Sequence, residues 1–448
     1  MRRLLERAGT VLALLFGLQV AWFERLFVFF TLLNGMGIVT GLAQPYLRGD
    51  DPEIVSASTH QPQVWCQLAL LGGGLLIACI RSNRILFAAR KAWPIILFIL
   101  LAPLSIAWSM QPMLTLRRSG LLLGSAVIAL YLGERYTIEQ FARLLARTMA
   151  VMMAAVIGFY FFAPAYVIDP AHEGAWKGLS SQKNAFGEYM AMAVVLFLVV
   201  RFRRCDWLRV PLLGCAVVLL YLSHSATALV VCAVTIVIYP LLRLTQMGRK
   251  HTIPVCIVGF LVLLQALLFL PRNINPLLAM LGRDATLTGR TGVWEYVAPA
   301  IARAPYLGYG YAAFWQGLKG SSLDIMIVNK WLVPTAHNGY LDLCLSFGAL
   351  GVIALLLVLF LLLGRAFRFA KYEPVQTAFW PLSFLCLFLL QNLGESLLLY
   401  GNELSFMVFL TMFTSLALHR TREPVTVRFY SGGPIARKQP ASSYPAEA

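Results

Sequence analysis

Runs of about 17–25 apolar residues, the length an α-helix needs to cross the hydrocarbon core of a bilayer, recur along almost the whole chain. Short polar or basic stretches separate them. The pattern predicts an all-α, polytopic membrane helix bundle of about twelve transmembrane helices. The expected spans are 27–45, 63–80, 93–109, 118–133, 147–165, 184–200, 208–222, 227–243, 252–270, 338–363, 377–398 and 402–418. Residues 8–23 are also apolar, but Glu24 and Arg25 interrupt the run, which reads as an interfacial helix. One region breaks the rhythm: residues 271–336 form a single long loop between the ninth and tenth spans. The expected organisation is a cytoplasmic or interfacial N-terminus (1–26), helices one to nine (27–270), the loop (271–336), helices ten to twelve (337–418) and a cytoplasmic tail (419–448). The tail is rich in Pro, Ser and Gly and is expected to be disordered. No small-residue cleavage site follows the first apolar run, so no cleavable signal peptide is expected.

Composition agrees with the pattern. Of the 448 residues, 59% are hydrophobic and 13% charged, with a mean hydropathy of +0.73. A soluble domain averages about 45–50% apolar and about 25% charged residues. The net charge of +17 does not point to nucleic acid, because most Lys and Arg lie in the short segments between spans. Arg2, Arg3, Arg7, Arg81, Arg84, Arg135, Arg143, Arg147, Arg201, Arg203, Arg204, Arg249, Lys250, Arg365, Arg368, Lys371, Arg420 and Arg422 all fall on one side of the predicted map. Basic residues gather on the cytoplasmic side. Both ends are therefore expected inside, the count of spans even, and the long loop outside. The eight cysteines show neither a disulfide framework nor metal spacing.

The loop carries six basic residues (Arg272, Arg283, Arg290, Arg303, Lys319, Lys330) against Asp284, Glu295 and Asp324, a net +3 on the side where the rule expects few. Two readings stand. The rule weakens for loops beyond about 60 residues, or the outer face binds an anion. Arg117, Arg118, Lys177 and Lys183 at other outer ends favour the anion.

Candidate chemistry concentrates there. Thr288-Gly289-Arg290-Thr291-Gly292-Val293-Trp294 opens a helical pattern whose stripe is Trp294, Val297 and Ile301; Pro305 ends it and Gly308-Tyr309-Gly310 turns. Arg290 near a helix N-terminus suits phosphate, through the amides, the dipole and a planar bidentate fork; an arginine snorkelling to the interface fits the same position. His337, in Ala336-His337-Asn338-Gly339-Tyr340, opens the tenth span, and Gly348 three turns on shares its predicted face. Histidine, with an unperturbed pKa near ~6.5, suits proton transfer; a capping or packing role is the alternative. Asn184, Gly187 and Glu188 share one helical face at the start of the sixth span, and Asn392, Glu395 and Ser396 repeat that spacing late in the eleventh. Ionisable groups inside a span mark functional cavities, or here a polar clamp between helices.

These pieces, in order, resemble the O-antigen ligase and polymerase superfamily, most of all exopolysaccharide repeat-unit polymerases. The resemblance rests on Trp108-Ser109 with Pro112, Trp176-Lys177-Gly178 with Lys183-Asn184 and Gly187, and Ser223-His224-Ser225-Ala226-Thr227. It continues through Thr288-Gly289-Arg290 with Trp294, Pro305 with Gly308 and Gly310, and His337-Asn338 with Gly348. Gln182 stands where such polymerases often have histidine, and Ser225-Ala226-Thr227 replaces a serine-arginine-threonine run. The resemblance implies a multi-pass protein of the bacterial inner (cytoplasmic) membrane with a periplasmic site. It would act as a metal-independent glycosyltransferase with no cofactor, moving glycan from an undecaprenyl-pyrophosphate-linked oligosaccharide to an acceptor glycan. Catalytic roles fall to His337 as base and Arg290 as the leaving group's counter-charge. Substrate contacts are expected from Arg283, Arg117, Arg118, Lys183, Asn184, Asn338 and Glu395. Expected partners are the lipid bilayer, the lipid-linked donor, the acceptor, and polysaccharide export or chain-length proteins; no nucleic acid and no metal are expected. A ligase acting on lipid A–core shares the donor chemistry. A transporter or flippase is the rival of another class, disfavoured because the chain has no matched halves.

Overall fold

The computed structural model describes residues 22–43, 52–170, 172, 174–202, 205–246, 290–317, 320–329 and 333–419. The interfacial run 8–23 is therefore mostly outside the described residues, as are the ninth span (252–270), Arg283, Thr288-Gly289 and the tail from 420.

The fold is all-α, as the apolar runs predict. In chain order the helices are α1 (22–35), α2 (Ile38–Ala43), α3 (Pro52–Ile80), α4 (Ser82–Lys91), α5 (Trp93–Leu104), α6 (Pro112–Arg135), α7 (Ile138–Phe162), α8 (Lys183–Val199), α9 (Arg209–Leu222), α10 (Ala226–Gln246), α11 (Arg290–Arg303), α12 (Leu323–Asn329), α13 (Gly339–Tyr372), α14 (Val375–Gln391) and α15 (Leu404–Leu418). Among the described residues, α6, α7 and α13 are each long and apolar enough to cross a membrane alone, and α3 and α4 meet in a 95° bend at Arg81. The protein is membrane-integral.

Two helices form the centre. Nearly every residue of α8 and α15 is buried. Both are predominantly apolar with no solvent-facing polar stripe, and such a helix belongs inside a bundle. α15 lies along α6, while α9, α10 and α14 surround α8. Small residues allow the close approaches. A Cβ on Gly187 would fall 2.8 Å from the Ser223 hydroxyl oxygen, so glycine there seats the Ser223–Thr227 segment against α8.

Glu24 lies within α1. Its charge is matched there by Arg81 at 2.8 Å and Arg135 at 3.6 Å. This gathers the start of α1 and the ends of α3 and α6, all assigned to the same side by the basic residues.

The long loop has its own small core, in which Val293, Val297 and Ala300 of α11 pack with Phe314, Trp315, Ile325, Met326, Val333, Ala336 and, from α13, Leu345. The predicted stripe faces it, with Trp294 and Ile301 at its margin. The loop docks on a break in α13. Gly348 has φ 57° and ψ −145°, a conformation open essentially to glycine alone. Across the break, Ala349 and Leu350 donate backbone N–H groups to Pro305 and Tyr306, while Tyr309 and Gly310 donate to Leu345 and Ser346. A Cβ at Gly348 would lie 2.6 Å from the Pro305 carbonyl oxygen. The glycine thus admits a loop rather than a neighbouring helix. The α5–α6 connection grips the same loop. The Trp108 indole donates to Leu307 at 2.9 Å, Met110 N–H to Tyr309 at 3.0 Å, and the Thr115 hydroxyl to Tyr311 at 3.1 Å.

Candidate active site

His337 precedes α13 instead of sharing its face with Gly348. Asn338 is the N-cap, its side-chain oxygen accepting from Tyr340 N at 3.0 Å and Leu341 N at 3.2 Å. This is what Asn does well at a helix start. His337 itself is left-handed, φ 47°, so the chain turns and the imidazole leaves the helix axis.

The eleventh span is also shorter than expected. α14 stops at Gln391, and residues 392–403 form an irregular turn. The cause is local: the Asn392 side-chain oxygen accepts from Leu397 N and Leu398 N at 3.1 and 2.9 Å, capturing amides that a continuing helix would bond internally. Asn392, Glu395 and Ser396 therefore lie on this turn, not on one helical face. The turn zips to the start of α13. Gly339 N donates to the carbonyls of Asn392 (2.8 Å) and Glu395 (3.1 Å), Asn338 N to the Ser396 hydroxyl oxygen (3.1 Å), and the Asn338 amide to Leu393 (3.3 Å).

That zipper brings His337 to Glu395, whose carboxylate is the hub. One oxygen accepts from Arg290 Nη2 at 2.6 Å and Asn184 Nδ2 at 2.9 Å; the other meets His337 Nδ1 at 3.2 Å. The carboxylate and the Arg290 side chain are each 12% exposed and His337 13%, so water screens the pairing only in part. An ionised carboxylate accepts and cannot donate. Against such a carboxylate Nδ1 is the donor, and a neutral ring then presents Nε2 as its basic nitrogen, the orienting logic of a carboxylate behind a histidine base. Arg290 is the first residue of α11 and abuts Gly394 and Thr227: a Cβ at Gly394 would meet Arg290 Nη1 at 3.1 Å and the Thr227 methyl at 3.0 Å. The Ser-Ala-Thr segment thus reaches the site through Thr227.

Of the candidate residues, Arg290, His337, Asn184, Glu395 and, through the zipper, Asn338 lie together. Lys183 begins α8 next to Asn184 and is buried. Arg118 serves the loop: from within α6 its Nη1 donates to the carbonyls of Ala312 and Trp315. Arg117 is exposed on the same helix. Lys177 is buried in the segment before α8, where desolvation lowers its pKa and Asp169 opposes the shift.

Asp342 escaped the sequence reading. In the first turn of α13 it accepts from the Trp315 indole at 2.7 Å, from Ala336 N at 3.2 Å, and from the Ser396 hydroxyl. The available signal was an ionisable residue near the start of an apolar span.

Comparison with known proteins bears out the resemblance to the O-antigen ligase and polymerase superfamily. Residues 211–356 match the O-antigen ligase family model. The chain is also 27% identical over 310 residues to the exopolysaccharide production protein ExoQ of Rhizobium meliloti (strain 1021), covering 65% of this chain and 69% of that protein. The family match includes Arg290, His337, Asp342 and Gly348; Asn184 and Glu395 lie outside it.

Proposed function

We propose that this membrane enzyme polymerises undecaprenyl-pyrophosphate-linked oligosaccharide repeats into exopolysaccharide or O-antigen, at the periplasmic face of the bacterial inner membrane. The carrying observation is the Glu395 carboxylate joining Arg290, His337 and Asn184, which come from the outer loop, the mouth of α13 and the start of α8. In this reading His337 Nε2 takes the proton of the acceptor hydroxyl. The acceptor oxygen bonds to the anomeric carbon as the bond from that carbon to the diphosphate breaks, and the electron pair leaves with the lipid diphosphate. A single displacement of this kind inverts the anomeric centre. Arg290 keeps further N–H donors beyond the one on Glu395, and they balance the charge growing on the leaving group without a metal. Asn184 and Asn338 hold Glu395 and the turn in register.

The name of the relative, exopolysaccharide production protein, favours the polymerase; the family description favours a ligase that hands the glycan to lipid A–core. The two differ in acceptor. Purified protein given lipid-linked oligosaccharide alone, with no vesicle gradient, is expected to lengthen the glycan. Extension only when lipid A–core is supplied identifies the ligase. Gradient-dependent movement with no new glycosidic bond removes both.

Twelve crossings, both termini inside and the 271–336 loop outside complete the proposal. With Asp324→Cys, at an exposed position on α12, in a chain cleared of other accessible cysteines, intact spheroplasts are expected to label with an impermeant thiol reagent. Labelling only after lysis inverts the topology.

A further inference from the structure

We infer that Asp342 is a positioning residue that fixes the spacing of His337 and Glu395 and ties that spacing to the docking of the outer loop. The inference rests on the reading above, in which His337 and Glu395 serve the transfer.

Its contacts bracket both groups. Ala336, whose N–H meets both Asp342 oxygens at 3.2 Å, immediately precedes His337. Ser396, whose hydroxyl donates to the second Asp342 oxygen, immediately follows Glu395. The Ser396 oxygen in turn accepts from Asn338 N at 3.1 Å, directly after His337. An Asp342–Ser396–Asn338 strut therefore runs beside the His337–Glu395 contact and ties both sides of it to one carboxylate. A carboxylate has about four lone-pair directions; here they serve the indole, the amide and the hydroxyl. A neutral amide at this position supplies one acceptor oxygen and turns the other into a donor, so it cannot satisfy all three.

The third donor links the site to the loop. Trp315 gives its indole N–H to Asp342 at 2.7 Å, and its carbonyl accepts from Arg118 Nη1 at 3.2 Å. Arg118 also holds Ala312. A chain of contacts thus leads from α6 through the loop to Asp342 and on to the backbone flanking His337 and Glu395. Arg118, expected from the sequence to touch substrate, belongs to this chain.

The test uses the full-length protein and compares kcat per folded molecule and KM for lipid-linked oligosaccharide among Ser396→Ala, Trp315→Phe, Asp342→Asn and His337→Ala. Ser396→Ala removes one hydroxyl from a partly buried turn, and Trp315→Phe removes the indole N–H. Both keep the fold testable if Asp342→Asn accumulates poorly. A misplacement of about 1 Å at a reacting group costs on the order of 10²-fold in rate. The expected result is a fall in kcat of about tenfold for Ser396→Ala and about 10²-fold for Asp342→Asn on that same scale, with donor KM nearly unchanged. Coupling is the second readout: Ser396→Ala added to Asp342→Asn is expected to cost little more, because both cut one strut. A residue that served stability alone would reduce the amount of folded protein and leave kcat per folded molecule intact. If His337→Ala loses transfer while Ser396→Ala, Trp315→Phe and any folded Asp342→Asn keep the wild-type kcat, or if their effects simply add, the inference is overturned and the proposed function stands. Full transfer by His337→Ala removes both.

Discussion

His337→Ala is expected to insert and fold normally, to bind lipid-linked donor, and to lose about 10²–10⁴-fold in the rate of glycan transfer, the usual contribution of a positioned general base. The fold is expected to survive because Asn338, not His337, caps α13 and the zipper to residues 392–396 uses backbone groups and Asn338. The loss falls on turnover because Glu395 at Nδ1 leaves Nε2 as the basic nitrogen. The measurement is single-turnover transfer at saturating donor in detergent or nanodiscs. An unchanged rate together with weakened donor binding makes His337 a diphosphate ligand and passes the base role to Glu395.

Arg290→Lys is expected to be nearly as damaging as Arg290→Ala, with a loss of about 10²–10³-fold, the scale seen when one preorganised charge-stabilising donor is removed. The substitution keeps the positive charge, so an ordinary electrostatic argument makes it mild. The geometry argues otherwise. Arg290 is bonded to Glu395 at 2.6 Å and packed against Gly394 and Thr227, and under the proposed function it has to serve a diphosphate as well. The planar guanidinium projects several N–H groups at fixed angles, whereas an ammonium is a compact point charge on a flexible stem. Lysine that keeps the Glu395 contact has too little reach left for the leaving group. Near-normal turnover by Arg290→Lys at normal abundance takes Arg290 out of the chemistry. Donor KM and kcat measured together separate a lost binding contact from a lost transition-state contact.

The class of fold was legible because the length of an apolar run is set by the thickness of a bilayer, which needs no tertiary information. Arg290 and His337 drew notice in the sequence because one stands within the long insertion and the other directly after it, each with a chemistry suited to that place. The breaks were not. Gly348 reads as a packing residue in a periodic apolar run, and only the Pro305–Gly310 segment, far away in sequence, gives its positive φ a purpose. The end of α14 was hidden for a related reason: Leu393, Leu397 and Leu398 continue the hydrophobic pattern, while the Asn392 side chain captures the amides that end the helix. Periodicity registers apolar surface and is blind to where a backbone N–H finds its partner. Asp342 was missed because one carboxylate in an apolar span says that a partner exists but not which. Arg118 was noticed for its charge and assigned to the substrate, yet its N–H groups go to backbone carbonyls of the loop.

The glycine break in α13 has a consequence for how the molecule opens. Above Gly348 the helix carries Asn338, Asp342 and Leu345, and it is laced to the 305–310 segment and to the 392–396 turn; below, it runs on with the bundle. The upper piece, α11 and the turn share the satellite core or the zipper. They therefore form a cooperative unit that can loosen without melting the transmembrane helices. In hydrogen exchange, the amides of Tyr309, Gly310, Gly339 and Ala349 should lose protection together, ahead of those in α8 and α15. The residues that meet the diphosphate would be held by the less stable of two foldons, and the free energy that closes the loop would be the same quantity that assembles the site.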